Sequence, residues 1–142
     1  MRRIFVDTGG WIALAVQRDG LHRAAVAYAR RLAEARAPLL TTNYVLIEAY
    51  TRIRYDDGHD GAMEFDSRIA DLQASRRLTI AWVGATQHAR ALEIFRRYSD
   101  QLFSVVDCAS FVVARDRKIR EVFGFDHGFL TMGFLLRPGV TG

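Results

Sequence analysis

Residues 104–117 read SVVDCASFVVARDR, and this is the most informative stretch of the chain. It favours a helix, with Ser104 as the N-terminal cap and Asp107 at the third helical position. The residues that follow Asp107 are apolar almost all round, which is typical of a helix at the centre of a core. Asp107 is therefore expected at the mouth of the interior, where the free amide groups and the positive dipole end of the first turn stabilise a carboxylate.

The rest of the chain alternates between strand-like and helix-like segments. Short runs with the composition of β-strands cover residues 3–6, 39–42, 78–83 and 121–125. This alternation predicts an α/β fold, with a central, mostly parallel sheet flanked by helices. The 142 residues, of which 50% are hydrophobic and 25% charged, fit a single globular domain over residues 1–142.

Residues 43–75 are expected to form a helical hairpin that protrudes from this domain. Asn43 is the predicted N-cap of the first helix, and Asp56-Asp57-Gly58 is the predicted turn. One buried stripe is expected on the first helix, at Leu46, Ala49, Tyr50 and Ile53. The same spacing predicts a later helix that buries Ala85, Ala89, Leu92 and Phe95.

Four carboxylates interrupt or end apolar segments: Asp7, Glu48, Asp107 and Asp126. Buried acids are costly unless they are paired or bind a metal. Asp7 and Asp126 follow predicted strands directly, so both should emerge at the carboxyl edge of the sheet, where sites form in open α/β folds. Glu48 can reach the same crevice from the first helix of the hairpin, and Asp107 can reach it from the start of its helix. The pattern predicts one acidic cluster that holds a divalent cation.

Charge and cysteine content narrow the partners and the compartment. Lys and Arg number 20 against 16 Asp and Glu, which gives a net charge of +4 and a pI near 9.7. A basic surface around an acidic pit suits a polyanion such as nucleic acid, although arginine can equally serve only solubility. Cys108 is the single cysteine, so no intramolecular disulfide forms. No apolar run approaches the roughly 20 residues of a membrane span, and we expect a cytoplasmic protein.

Four segments together resemble one family. They are Val6-Asp7-Thr8-Gly9-Gly10-Trp11, Asn43-Tyr44-Val45-Leu46-Ile47-Glu48, Ser104-Val105-Val106-Asp107 and Phe125-Asp126-His127-Gly128-Phe129. In order, spacing and flanking residues, the chain resembles the PIN-domain nucleases over its full length, most closely the VapC-type toxins of type II toxin-antitoxin systems. Each segment is unspecific by itself, because apolar strands often end in Asp.

The resemblance implies a function. It implies an endoribonuclease that depends on Mg²⁺, with Mn²⁺ as the alternative ion, and an acidic metal-binding and catalytic set of Asp7, Glu48, Asp107 and Asp126. Thr8 and Ser104 match supporting hydroxyl positions, whereas Gly9 stands where relatives often carry serine. The implied partners are an RNA substrate such as a single-stranded loop of tRNA, a VapB-type antitoxin and a second copy of the chain in a homodimer.

Other interpretations of the same residues stay open. The chain could be a non-catalytic binding module of this fold, or a metal-dependent phosphohydrolase acting on small phosphoesters. Among single residues, Asp7 and Asp107 could each be only a structural cap or part of a buried ion pair. Asp126 could be only a turn residue, and Glu48 only a solvated helical acid. His127 is more typical of an exposed turn than of an acid or base. Core positions are expected for Trp11, Cys108 and Phe129.

Overall fold

A computed structural model describes residues 2–139, which fold around one five-stranded sheet. All strand pairs are parallel, and the strands lie in the order β3-β2-β1-β4-β5. The strands are β1 (Ile4–Val6), β2 (Leu39–Thr42), β3 (Leu78–Ala81), β4 (Glu121–Gly124) and β5 (Leu135–Pro138). The helices are α1 (Thr8–Ala15), α2 (His22–Glu34), α3 (Asn43–Ala74), α4 (Ala85–Arg97), α5 (Val105–Asp116) and α6 (His127–Thr131).

The central strand β1 has the apolar composition that is typical of a parallel sheet. Its sequence Ile-Phe-Val is buried throughout, as expected for a strand covered on both faces. Ile4 is in register with Leu39 of β2 on one side and with Glu121 of β4 on the other. The predicted α/β fold and the four predicted strands are confirmed. The fifth strand, β5, was not predicted.

Helix α5 lies at the centre of the core, as its sequence predicts. Every residue from Asp107 to Ala114 is buried. The Phe111 ring lies 5.1 Å from the rings of Phe103 and Phe129, centroid to centroid. Trp11, Cys108 and Phe129 are all buried, which confirms their expected core positions.

The helical hairpin is confirmed. Helix α3 is interrupted at Gly58, whose φ of 75° lies in the left-handed region that glycine adopts without a steric penalty. The arms on either side, residues 43–57 and 59–74, pack against each other through Tyr50. Its hydroxyl donates a hydrogen bond to Asp66, and its ring contacts Phe65.

The prediction that Asn43 caps this helix was wrong. Thr42 is the N-cap, and its hydroxyl accepts a hydrogen bond from the Val45 amide. Asn43 is the first helical residue, and its Oδ1 accepts from the Val83 amide at 2.6 Å. The asparagine therefore ties the start of α3 to the chain that leaves β3.

The helix predicted from Ala85, Ala89, Leu92 and Phe95 is confirmed as α4, but these residues do not form its buried face. Ala85, Ala89 and Phe95 are exposed, and Ala91 is the buried residue of this helix. The inward face carries Gln87, Ala91, Ile94 and Tyr98, which also obey helical spacing. The apolar pattern misled because Phe95 remains partly in solvent. Within residues 2–139, no helix has the length and apolar character needed to traverse a bilayer.

Candidate active site at the carboxyl edge of the sheet

Asp7 lies where β1 ends and α1 begins. Its amide donates a hydrogen bond to the Phe123 carbonyl at 3.0 Å, and its side chain is only 4% exposed. Gly124, at the end of β4, leaves the room for this side chain. A Cβ atom at position 124 would lie 3.1 Å from the Asp7 Cβ atom, which is tighter than ordinary contact. The two neighbouring strand ends together form a pocket for one carboxylate.

The Asp7 carboxylate is buried without a counter-charge. Its Oδ1 atom has no hydrogen-bond partner within residues 2–139, and no Lys, Arg or His of that range pairs with it. The adjacent Thr8 hydroxyl is buried and equally unpartnered among these residues. Buried polar atoms almost always have partners, so a pair of orphaned oxygens needs an explanation such as an ion.

The pKa of Asp7 reflects this isolation. Burial is the main cause that raises the pKa from 3.8 to about 8. The negative charge of Asp107 raises it further, the Thr8 amide lowers it, and Asp126 and Glu48 each raise it. The other three predicted acids therefore all lie near enough to disfavour the charged form of Asp7.

Asp107 is fixed by a capping box at the start of α5. Its amide donates to the Ser104 hydroxyl, and its Oδ2 accepts from the Ser104 amide, both at 3.0 Å. The carboxylate is 8% exposed, and burial raises its pKa to about 6 against the lowering effect of the Ser104 amide. Ser104 is confirmed as the N-cap. Its hydroxyl orients Asp107 by accepting from the backbone.

Glu48 and Asp126 form the more open side of the site. Glu48 is half-buried on the first arm of the hairpin, and Asp126 is exposed at the N-terminus of α6. The Asp126 Oδ1 atom accepts a hydrogen bond from the Gly128 amide at 2.9 Å, so the turn role considered for this residue is present. His127 is exposed beside it.

The four acids share one electrostatic environment, but their side chains are not gathered around a common point. Within residues 2–139, no three His, Cys, Asp or Glu side chains stand close enough to hold one ion as they are oriented. The donor set nevertheless fits a hard divalent cation, because it consists of carboxylate oxygens and includes the orphaned Asp7 Oδ1.

Aromatic residues on the same edge were missed in the sequence. Trp82 follows β3 and is 74% exposed, two strands away from β1. Beside it in the chain, the Asn43–Val83 hydrogen bond brings the start of α3 close, where the Tyr44 hydroxyl is hydrogen-bonded to the His88 ring. No local signal marks it, because Trp82 follows β3 in the same alternation phase as the apolar Leu78 and Ile80.

A parallel sheet with acids at its carboxyl edge is the arrangement of a PIN domain. The chain matches the PIN domain family over residues 4–135, from β1 to β5, and it belongs to that family. The resemblance inferred from the four sequence segments is therefore confirmed.

Its relatives are VapC-type proteins. The chain is 33% identical over 137 residues to the 23S rRNA-specific endonuclease VapC20 of Mycobacterium tuberculosis, covering 95% of this chain and 98% of the relative. The crystal structure of VapC20, described as a Sarcin-Ricin loop cleaving toxin, superposes with a TM-score of 0.80 at 32% identity, covering 93% and 96% of the two chains. VapBC2 from Rickettsia felis, bound to a promoter DNA fragment, shares the fold with a TM-score of 0.68 at 12% identity, covering 94% and 96%.

Proposed function

We propose that this VapC-type PIN domain is a metal-dependent endoribonuclease and the toxin of a toxin-antitoxin pair. In this proposal it hydrolyses RNA phosphodiester bonds with a water activated at Asp7, Glu48, Asp107 and Asp126. One observation carries the proposal: Asp7 is 4% exposed, its Oδ1 atom lacks a partner among residues 2–139, and the charges of three other acids raise its pKa beyond the effect of burial. A charge isolated in this way is stable only when a ligand supplies the opposite charge.

The four acids have different tasks in this mechanism. Asp7 and Asp107 provide the most buried oxygens, so they would make the tightest contacts to Mg²⁺ or Mn²⁺. A bound ion would supply Lewis acidity, which lowers the pKa of a bound water and neutralises charge on the phosphodiester. The Ser104 capping box holds Asp107 in one orientation. Glu48 and Asp126, being more open, would orient water or complete the ligand set.

The substrate class follows from relatives and from the surface beside the acids. VapC20 is named as specific for 23S rRNA and as cleaving the Sarcin-Ricin loop. We therefore propose single-stranded loops of structured RNA as substrates, with ribosomal RNA to be tested before tRNA. The exposed Trp82 side chain offers a face on which an unpaired base can stack, and aromatic stacking is the usual way in which proteins hold such bases.

An antitoxin and a second copy of the chain are the proposed protein partners. The neighbours of this fold include the VapBC2 pair and the FitAB pair bound to DNA. On this chain the helical hairpin exposes the side chains of Ile47, Tyr55 and Met63. Our hypothesis is that the hairpin contributes to the antitoxin or dimer surface. Hydrogen exchange with the co-expressed antitoxin should slow in residues 43–75, and unchanged exchange throughout the hairpin would refute the hypothesis.

Metal-dependent cleavage of RNA tests the proposed function directly. The purified protein should cleave total RNA at a small set of sites in Mg²⁺ or Mn²⁺ and should stop in EDTA. Mapping the new 5′ ends identifies the substrate. An aryl phosphate assayed in parallel separates the alternatives: its hydrolysis with intact RNA would indicate a small-molecule phosphohydrolase, and inactivity on both would indicate a binding module.

A further inference from the structure

A cleft of about 280 Å³ lies between α2 and the sheet, at the opposite end of β4 from the acids. The strand rises ~3.3 Å per residue, so Glu121 at its start is about 10 Å from Gly124 at the carboxyl edge. None of the four acids of the candidate active site lines this cleft. Its lining residues are Arg2, Tyr28, Arg31, Leu32, Glu121 and Arg137.

Strand register explains why these residues meet. Side chains two residues apart on a strand share a face, so Glu121 projects on the same side as Phe123. Arg137 of β5 is in register with Phe123 and shares that face as well. Helix α2 covers this face, because the Tyr28 ring packs edge-on against the Phe123 ring at 4.9 Å. Charged side chains therefore occupy a helix-covered face of a parallel sheet, where apolar residues are the rule.

The cleft carries an excess of positive charge. Arg2 pairs with Glu121 at 3.3 Å, which accounts for the one acid of the lining. The Arg31 guanidinium stands over the Tyr28 ring at 5.7 Å, and Arg137 donates to the Leu136 carbonyl at 3.2 Å. Neither of these two arginines forms an ion pair with a carboxylate of residues 2–139. Two guanidinium groups thus remain available to an anion.

The Tyr28 hydroxyl is an unsatisfied donor in the same cleft. The side chain is 5% exposed, and its Oη atom has no hydrogen-bond partner within residues 2–139. Burial is the main cause that raises the pKa of Tyr28; the charge of Glu121 raises it too, and Arg2, Arg137 and Arg31 lower it, so the hydroxyl lies among the charged groups of the lining. A buried hydroxyl beside two unpaired guanidinium groups is a donor set without its acceptor.

We propose that this cleft binds a phosphate group, with Arg31, Arg137 and the Tyr28 hydroxyl as donors. Guanidinium groups bind phosphate oxygens in bidentate, charge-assisted geometry, and tyrosine adds a neutral donor. The phosphate is either a backbone phosphate of RNA that extends past the acids or free inorganic phosphate. The RNA source rests on the proposed nuclease function, whereas binding of free phosphate does not depend on it.

Titration of the metal-free protein with inorganic phosphate tests the site. Calorimetry in buffers matched with chloride for ionic strength should detect binding to the wild-type protein. Arg31→Gln should weaken it about tenfold, since one charge-assisted hydrogen bond is lost. Arg30→Gln is the matched control, because Arg30 is the exposed neighbour on the same helix and lies outside the cleft. Tyr28→Phe keeps the ring and should weaken binding by a smaller factor.

Binding of an RNA oligonucleotide at several salt concentrations distinguishes the two sources. If RNA fills the cleft, Arg31→Gln should reduce the slope of log K against log salt by about 1, and Arg30→Gln should not. Phosphate binding with an unchanged RNA slope assigns the site to the free anion. The proposal is overturned if the wild-type protein does not bind phosphate, or if Arg30→Gln and Arg31→Gln weaken binding equally. Neither result depends on whether the protein cleaves RNA.

Discussion

Asp7 and Glu121 belong to paired strands of one sheet, but they differ in whether a positive side chain neutralises their charge. Glu121, at the start of β4, has a side chain that is 17% exposed and an arginine at 3.3 Å. Asp7, at the end of β1, is 4% exposed, and its Oδ1 atom has no partner within residues 2–139. Burial alone therefore does not mark a site. A buried acid without a counter-charge is the better indicator, and we propose that a metal ion neutralises Asp7.

The two ends of the sheet therefore carry local charges of opposite sign. At the carboxyl edge, burial and neighbouring acids raise the pKa values of Asp7 and Asp107, and the proposed ligand is a cation. In the cleft under α2, arginines outnumber the single acid, and the proposed ligand is an anion.

The largest expected effect comes from removing the unpaired acid. Asp7→Asn should lower RNA cleavage by at least about 100-fold, because groups that merely support a metal ligand already cost 10–100-fold when they are removed. Initial rates on the mapped RNA substrate measure this. The folded state should persist, with an unchanged circular dichroism spectrum. Asp100→Asn, at an exposed loop acid, is the matched control and should cleave normally. Full activity in Asp7→Asn would contradict the mechanism.

The ionisation of Asp7 should make the stability of the protein depend on pH. Asp7 ionises near 3.8 when unfolded and at about 8 when folded, so between these values the folded state holds a proton that the unfolded state has released. Stability of the metal-free protein should therefore fall by about 2 kcal/mol between pH 6 and pH 8. Urea denaturation at each pH measures it.

Two comparisons check the origin of that slope. Asp7→Asn should flatten it, because the amide does not titrate. Added Mg²⁺ should also restore stability at pH 8, since it favours the ionised carboxylate. A slope that persists in Asp7→Asn would assign the effect to other groups.

Trp82 is the proposed base-stacking residue, and its removal should have an intermediate effect. Trp82→Ala should raise KM for the RNA loop about tenfold with little change in kcat, since a stacked base contributes ~1–3 kcal/mol. Trp82→Phe should restore most of the affinity, which a purely structural role at a 74% exposed position would not require. Equal KM values for the wild-type protein and both variants would show that Trp82 does not contact the RNA.

The smallest effect is expected at the paired acid. Glu121→Gln should change the free energy of unfolding by less than about 1 kcal/mol, because the Arg2 side chain is 59% exposed and exposed ion pairs contribute little. Its stability should show no slope between pH 6 and pH 8 beyond that of the wild-type protein. If Glu121→Gln lowered the free energy of unfolding by as much as the effect expected at Asp7, the two acids would not differ as proposed.

Sequence predicted the parts of this site that depend on local pattern. A strand that ends in Asp reveals Asp7, and an apolar helix with an acid in its first turn reveals Asp107, because each signal lies within a few residues. Helix α1 was not predicted, since Gly9 and Gly10 have poor helix propensity. Gly10 is nevertheless required for close packing, because a Cβ atom there would lie 2.6 Å from the Phe123 carbonyl oxygen.

Features that depend on long-range register could not be predicted. Strand β5 reads Leu-Leu-Arg-Pro, too short a run to signal a strand without its partner β4. The arginine cleft exists only because that pairing sets Arg137 beside Phe123 and α2. The exposure of Trp82 likewise depends on what covers the end of β3, which is an edge strand of the sheet. Each of these relations joins residues far apart in the chain.

Diffraction from crystals grown or soaked with Mn²⁺, recorded for its anomalous signal, tests the central claim most directly. We expect an anomalous peak at the carboxyl edge, about 2.0–2.6 Å from oxygens of Asp7 and Asp107, and its loss in Asp7→Asn crystals. A manganese ion bound only elsewhere, with the Asp7 carboxylate still uncoordinated, would contradict it.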